Sequence, residues 1–136
     1  MEYEALLRLD TRLKAILGDA KKLNGLHSIL LADENGLSVS YSGEIESPSI
    51  AAIAPELIRV GEKATSLGCY NSMSCVMVML ENSHLLIIKT ITIHKQKFVV
   101  VMDAPLAPKG LSSMLIQLKE DISKAIKVDK KERIEE

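Results

Sequence analysis

Aromatic side chains are scarce in this chain of 136 residues, which has three tyrosines, one phenylalanine and no tryptophan. Charge of one sign is also missing, since 17 Lys plus Arg stand against 18 Asp plus Glu. Few rings to stack on bases and no basic field to follow phosphates argue against nucleic acid as a ligand. Cysteine is limited to Cys69 and Cys75. Their spacing matches neither a metal site nor a secreted disulfide framework, which points to a reducing cytosol. No apolar run approaches the ~20 residues of a membrane span, and residues 1–10 carry acids in a helical pattern instead of a signal sequence. The expectation is a soluble cytoplasmic protein. Glycines fall singly, with neither GxGxxG nor GxxxxGK[ST] present, so no phosphate-binding loop is built and GTP is not expected to bind this chain itself.

What the chain has is apolar periodicity of two kinds. Tyr3, Leu6, Leu9, Leu13, Ile16, Leu17 and Ala20 recur at helical steps opposite Arg8, Arg12, Lys14, Lys21 and Lys22, and Asn24-Gly25 ends that helix. Residues 26–33 form an apolar strand, and Glu34-Asn35-Gly36 supplies a tight turn. In residues 37–42, Leu37, Val39 and Tyr41 alternate with Ser38, Ser40 and Ser42, so this strand is expected to carry one wet face of serines. Serine at Ser47-Pro48-Ser49 is expected to cap a long second helix over 49–68, ended by Gly68. Pro55 within it predicts a kink near residues 51–55 or a late start. Three strands follow over 75–80, 84–92 and 97–103, joined by the short turns Glu81-Asn82-Ser83 and His94-Lys95-Gln96 and therefore antiparallel. Their apolar runs do not alternate, which calls for cover on both faces of the sheet. A linker at 105–108 precedes a last helix striped by Leu111, Leu115, Leu118, Ile122 and Ile126. Residues 1–126 thus read as a single domain, and 127–136 as a charged C-terminal tail that is either a solvated helical extension or frayed.

The second helix is apolar around too much of its circumference. On a wheel of about 100° per residue, Leu67, Val60, Ile53, Ala64, Leu57, Ile50, Gly61, Ala54, Ile58 and Ala51 span an arc of roughly 200°, whereas packing on one sheet face accounts for little more than 100°. A second copy of the chain is the economical partner for the surplus. The strand over 75–80 supports this, because an edge strand that is apolar on both faces is an aggregation hazard unless paired. The expected dimer interface is Ile50, Ile53, Ala54, Leu57, Gly61 and Ala64 with Cys75, Met77 and Met79.

Candidates for chemistry are few. His27, His84 and His94 fall at a strand start and two turns with no ligand at metal spacing, and read as surface or hairpin histidines, so no metal and no cofactor is expected. Asp33 and Glu34 serve a turn and Asp103 ends a strand, which leaves no acid/base pair. Cys69 and Cys75 read as small buried or half-buried residues, and Met73, Met77, Met79, Met102 and Met114 as core, with Met77 and Met79 also suited to an interface. No nucleophile has a base in an element that can be placed, so the protein is not expected to be an enzyme.

The order helix, strand, strand, helix, three strands, helix resembles the roadblock/dynein light chain family. The resemblance is carried by Leu26 through Ala32 followed by Asp33-Glu34-Asn35-Gly36-Leu37, by the helix end Ala64-Thr65-Ser66-Leu67-Gly68, and by Gly110 ahead of Leu111. It implies an α/β (α+β) profilin/longin-like fold, with a five-stranded antiparallel sheet, its second and third strands at the edges, and helices on both faces. It also implies domains that pair through the third strand and second helix, and a homodimeric, non-enzymatic module that regulates or scaffolds a Ras-like small GTPase. Arg59, on the polar side of the second helix, is the arginine best placed to contact that partner. A small-molecule-sensing or general scaffold domain is the alternative.

Overall fold

The fold is given by a computed structural model that describes residues 2–105 and 110–135; the side chains of residues 2–7, 133 and 135 are outside the description, those of Tyr3, Leu6 and Arg133 included. The elements run α1 (Glu2–Leu23), β1 (Ser28–Asp33), β2 (Ser38–Gly43), α2 (Ser47–Leu67), β3 (Val76–Met79), β4 (Leu85–Ile93), β5 (Gln96–Ala104) and α3 (Leu111–Glu135). The strands form one antiparallel sheet in the order β2-β1-β5-β4-β3, with the second and third strands at the edges. Most of the linker expected at 105–108 lies outside the described residues.

The non-alternating strands are the central ones, and helices cover both of their faces. On one face Ile29, Leu31, Ile87, Val100 and Met102 meet Leu13 and Leu17 of α1 and Leu115, Leu118 and Ile122 of α3. On the other, Leu30, Ala32, Ile88, Val99 and Val101 meet Ala51, Ala54 and Ile58 of α2. β5 is therefore buried on both sides, as Phe98-Val99-Val100-Val101-Met102 requires.

Four local details correct or refine the expectations. In β2 the serines do not share one wet face, although Ser38 is exposed and Val39 packs on the core as expected. The register slips between Leu31 and Ala32, which face Ser40 and Ser38 and leave Val39 as the extra residue of a bulge. Ser40, opposite Leu31, consequently turns to the α1 side and is buried, whereas Leu37 and Tyr41 are exposed. Small side chains suit that side: a Cβ on Gly18 of α1 would meet the Ser42 hydroxyl at 3.7 Å.

Second, α2 begins at Ser47 with Glu46 at the cap position, and no side chain bonds the first turn, so neither serine caps it and the start is not late. Pro48 does lie in the opening turn. Pro55 is accommodated inside α2 and is buried. It has no N–H to offer the Ala51 carbonyl. That carbonyl lies against the β1–β2 turn, where a Cβ on Gly36 would sit 3.3 Å from it and 3.1 Å from the Ala52 Cα. Gly36 also has φ +86°, so both the turn and the close approach demand glycine. Asp33 holds the same turn, its Oδ1 accepting from the N–H groups of Asn35 and Leu37.

Third, α2 ends at Leu67 with Gly68 (φ −84°) as its cap, as expected, and the left-handed residue that closes the end is Cys69 (φ 58°). The Tyr70 N–H bonds the Thr65 carbonyl and the Cys69 N–H bonds that of Ser66, a Schellman closure. Gly68 instead makes room for the Tyr70 ring, whose carbons would lie 2.4 and 2.7 Å from a Cβ there. Cys69 is exposed and Cys75 half-buried, and both are free thiols.

Fourth, the charged end of the chain is helical but not simply solvated. α3 continues through it, Asp129 is buried, and Glu132 accepts from Arg8 Nε at 2.9 Å and from Arg12 Nη2 at 2.7 Å. Those guanidiniums, Arg12 first and then Arg8, hold the Glu132 carboxyl below its usual range.

Candidate interaction surface

The surplus apolar arc of α2 is visible as an exposed stripe. Ala51, Ala54, Pro55 and Ile58 take the sheet side. Ile53, Leu57, Val60, Ala64 and Leu67 follow at alternating four- and three-residue steps, within about 80° of one another on the wheel. Of these, Leu57 is half-buried against the core, while Ile53 (47%), Val60 (64%) and Leu67 (76%) are open to solvent. Four-three spacing is the seam that a helix presents to another helix.

The stripe lies on the flank of α2 that turns toward β3. Gly61 marks the junction, since a Cβ there would sit 3.2 Å from Val76 and collide with the thioether of Met73. Beyond it β3 runs along the edge of the sheet, paired with β4 on one side only. Its four residues alternate. Val76 and Val78 are half-buried on the α2 face, opposite Ile88 and Leu86. Met77 and Met79 point to the α1/α3 face and are 50% and 82% exposed. The stripe thus borders an edge strand without a charged side chain, whose exposed methionines lie on the far face of the sheet.

The interface residues named from the sequence divide accordingly. Ile53 and Ala64 are exposed on the stripe, and Ile50 and Leu57 are shared between stripe and core. Ala54 is fully buried against the sheet and offers no surface to a partner, while Gly61 is partly buried beside Met73. Cys75, Met77 and Met79 lie at the right edge but on the sheet face opposite α2, and Cys75 packs on the α1/α3 core. Val60 and Leu67 were legible on the helical wheel yet absent from that interface. The four-three spacing was the signal for them.

Arg59 stands apart from this surface. It is about 120° around α2 from the stripe, ion-paired to Glu56 and beside Glu34 and Lys97 at the mouth of a cleft between α2 and β5. A larger cleft of about 530 Å³ lies where the second half of α2 and the loop at residues 70–74 meet β4 and β5. Its lining is mostly Ser, Thr, Asn and Lys, and Lys89 Nζ donates to the Ser74 carbonyl at 2.7 Å.

Tertiary structure also gathers residues that the sequence left scattered. His84 Nδ1 lies 2.8 Å from Asp103 Oδ1, and the His27 ring meets the His84 ring edge to face at 5.9 Å. His94 Nε2 lies 3.1 Å from Ser123 Oγ of α3. The histidines therefore join strand ends and pin the β4–β5 hairpin. Among the described residues no group of three or more His, Cys, Asp or Glu side chains is arranged to hold a metal ion. No described helix is long and apolar enough to cross a membrane.

No protein-family model matches the sequence, and no curated protein matches it either. Solved structures do match. Over 88% of this chain and 90% of the other, it superposes on Myxococcus xanthus MglB with a TM-score of 0.64 at 15% identity. The gliding protein MglB from Thermus thermophilus gives 0.66 at 13% identity over 86% and 90%. A roadblock/LC7 domain from Streptomyces avermitilis gives 0.56 at 18% identity over 89% and 97%. The chain has the roadblock fold, with the α-β-β-α-β-β-β-α order and five-stranded antiparallel sheet shared with MglB.

Proposed function

We propose that the protein is a non-enzymatic, homodimeric interaction module of the cytoplasm that binds and regulates, or scaffolds, a Ras-like small GTPase. The observation that carries this reading is the exposed apolar stripe of α2 beside the unpaired, uncharged edge of β3. A twofold axis through it would set α2 against its copy and join two β3 strands, covering Ile53, Val60, Leu67, Met77 and Met79 at once. Dimerisation would then bring the two α2 helices side by side as a rigid platform. Similarity to MglB supports a GTPase as the partner for that platform, and one solved MglB structure is described as tetrameric.

Arg59, exposed on α2 beside Glu56, is read as a binding contact and not as a catalytic arginine. Any effect on hydrolysis then comes from contact that shapes the GTPase's own site. The test is affinity purification from native lysate with a non-hydrolysable GTP analogue or GDP, read by mass spectrometry. A Ras-like GTPase enriched in one nucleotide state is the expected result, and its absence from both overturns the assignment.

A further inference from the structure

β3 is shorter than the strand it pairs with. It covers β4 from Leu85 to Ile88, while β4 runs on to Ile93. Residues 89–93 therefore have β5 on one side and no strand on the other. The direction of their backbone groups follows from the ladder. Ile93 and Gln96 flank the two-residue turn His94-Lys95, whose positive φ values of 51° and 67° are those of a type I′ hairpin, so Ile93 bonds to β5. Counting back by twos, Ile91 and Lys89 also face β5, whereas Thr92 and Thr90 turn N–H and C=O outward. The same parity holds at the other end of β4, where the His84 carbonyl accepts from the Leu80 N–H on the β3 side.

A groove of about 370 Å³ runs along this open edge against α3. Leu115 and Ile116 provide its apolar wall, Ile116 being 61% exposed. Lys89 and Lys119 are its charged residues, and among the described residues no carboxylate lines it. Lys89 is held by the neutral oxygens of Ser74, and neither lysine makes an ion pair with a described residue. Exposed strand edges are ordinarily blunted by pairing, by cover or by charge; here no described strand pairs with residues 89–93, and the loop at residues 70–74 reaches the edge only at its Lys89–Thr90 end.

We propose that the outer edge of β4 at residues 89–93, with the groove against α3, is a docking site at which an extended acidic segment of a partner protein adds as a strand. The backbone groups of Thr90 and Thr92 supply the main-chain bonds, and side chains on the α3-facing side of the added strand meet both the apolar wall and the Lys89 and Lys119 ammonium groups, which select carboxylates there. Another copy of this chain is a poor occupant, because its own edge strands, Ser38–Gly43 and Val76–Met79, carry no acidic residue. The site is also separate from the dimer surface proposed above, in which a partner strand would add outside β3.

The test is a fluorescence-polarisation titration of the full chain with a short labelled peptide in which valine and glutamate alternate at every second position and threonine fills the positions between, so that one strand face carries both. Binding in the micromolar range is expected, weakened tenfold or more by Lys119→Glu, an exposed position on α3 that leaves the core intact, and further by Lys89→Glu. Two N-methylated versions, blocked at odd or at even residues, should differ: one set of N–H groups faces β4 and its loss abolishes binding, while the other is tolerated. The proposal is overturned if the peptide fails to bind at millimolar concentration, if both N-methylated forms bind as well as the parent, or if Lys119→Glu is without effect. Equal binding by the same peptide with lysine in place of glutamate, or by a neutral peptide copied from residues 38–43 of this chain, overturns it as well.

Discussion

Val60→Arg separates a dimer built on the α2 stripe from a monomer that merely tolerates it. Val60 is 64% exposed in the single chain, so the substitution leaves the packing of the protomer alone. Leu57, nearer the centre of the arc, would confound the experiment because it also packs on the core. Fully burying a valine is worth roughly 1.5–3 kcal/mol, and two thirds of that, about 1–2 kcal/mol, is still unrealised in each protomer. A twofold interface contains the residue twice, giving about 2–4 kcal/mol per dimer. That corresponds to a dissociation constant weakened roughly thirtyfold to a thousandfold. Two arginines brought together in a desolvated seam push the loss toward the upper figure. Sedimentation equilibrium across a concentration series measures it directly. The unmodified protein should be dimeric at micromolar concentration and the variant monomeric, with unchanged circular dichroism. A monomeric unmodified protein, or a variant that dimerises as tightly, would refute the interface.

Three further outcomes are expected. Arg59→Ala should weaken GTPase binding modestly and leave any stimulated hydrolysis at saturating protein within about tenfold of the unmodified value, since arginine fingers contribute roughly 10³–10⁵; a thousandfold loss would show catalysis in trans. Glu132→Gln should lower the melting temperature at neutral pH and do so less in high salt. Because its folded-state pKa is depressed by Arg12 and Arg8, the carboxylate's contribution is fully present above the ordinary value of 4.5 and is lost as pH falls through the folded value, so melting curves of the two proteins should converge in acid. Gly43→Ala should cost about 2–4 kcal/mol in urea denaturation, because the residue has φ +95° and an added Cβ would lie 2.5 Å from the His27 carbonyl and 2.9 Å from the Ser28 Cα, forcing β1 and β2 apart. An effect below 0.5 kcal/mol, taken as about the scale of neutral surface changes, would contradict that geometry.

Element order, strand number and the two-sided burial of β5 were legible in the chain itself, because helical and strand periods differ and because a run such as Phe98 to Met102 has no polar face to give to water. The excess apolar arc of α2 was legible for the same reason. What the sequence could not reveal depended on registers and distances that only packing sets. The bulge at Val39 turned Ser40 inward and Tyr41 outward, since one extra residue in a strand exchanges its faces. The arc of α2 said how much surface was surplus, but which residues lay on each side waited on the sheet: Ala54 went to the core, Gly61 beside Met73, and Val60 and Leu67 to the open stripe. Cys75, Met77 and Met79 separated from α2 because strand parity, set by pairing with β4, sent them to the opposite face. The end of α3 came to rest on Arg8 and Arg12, more than a hundred positions away in sequence, where no local period could have placed it. Periodicity specifies which residues must leave water, and tertiary contact alone specifies what they meet.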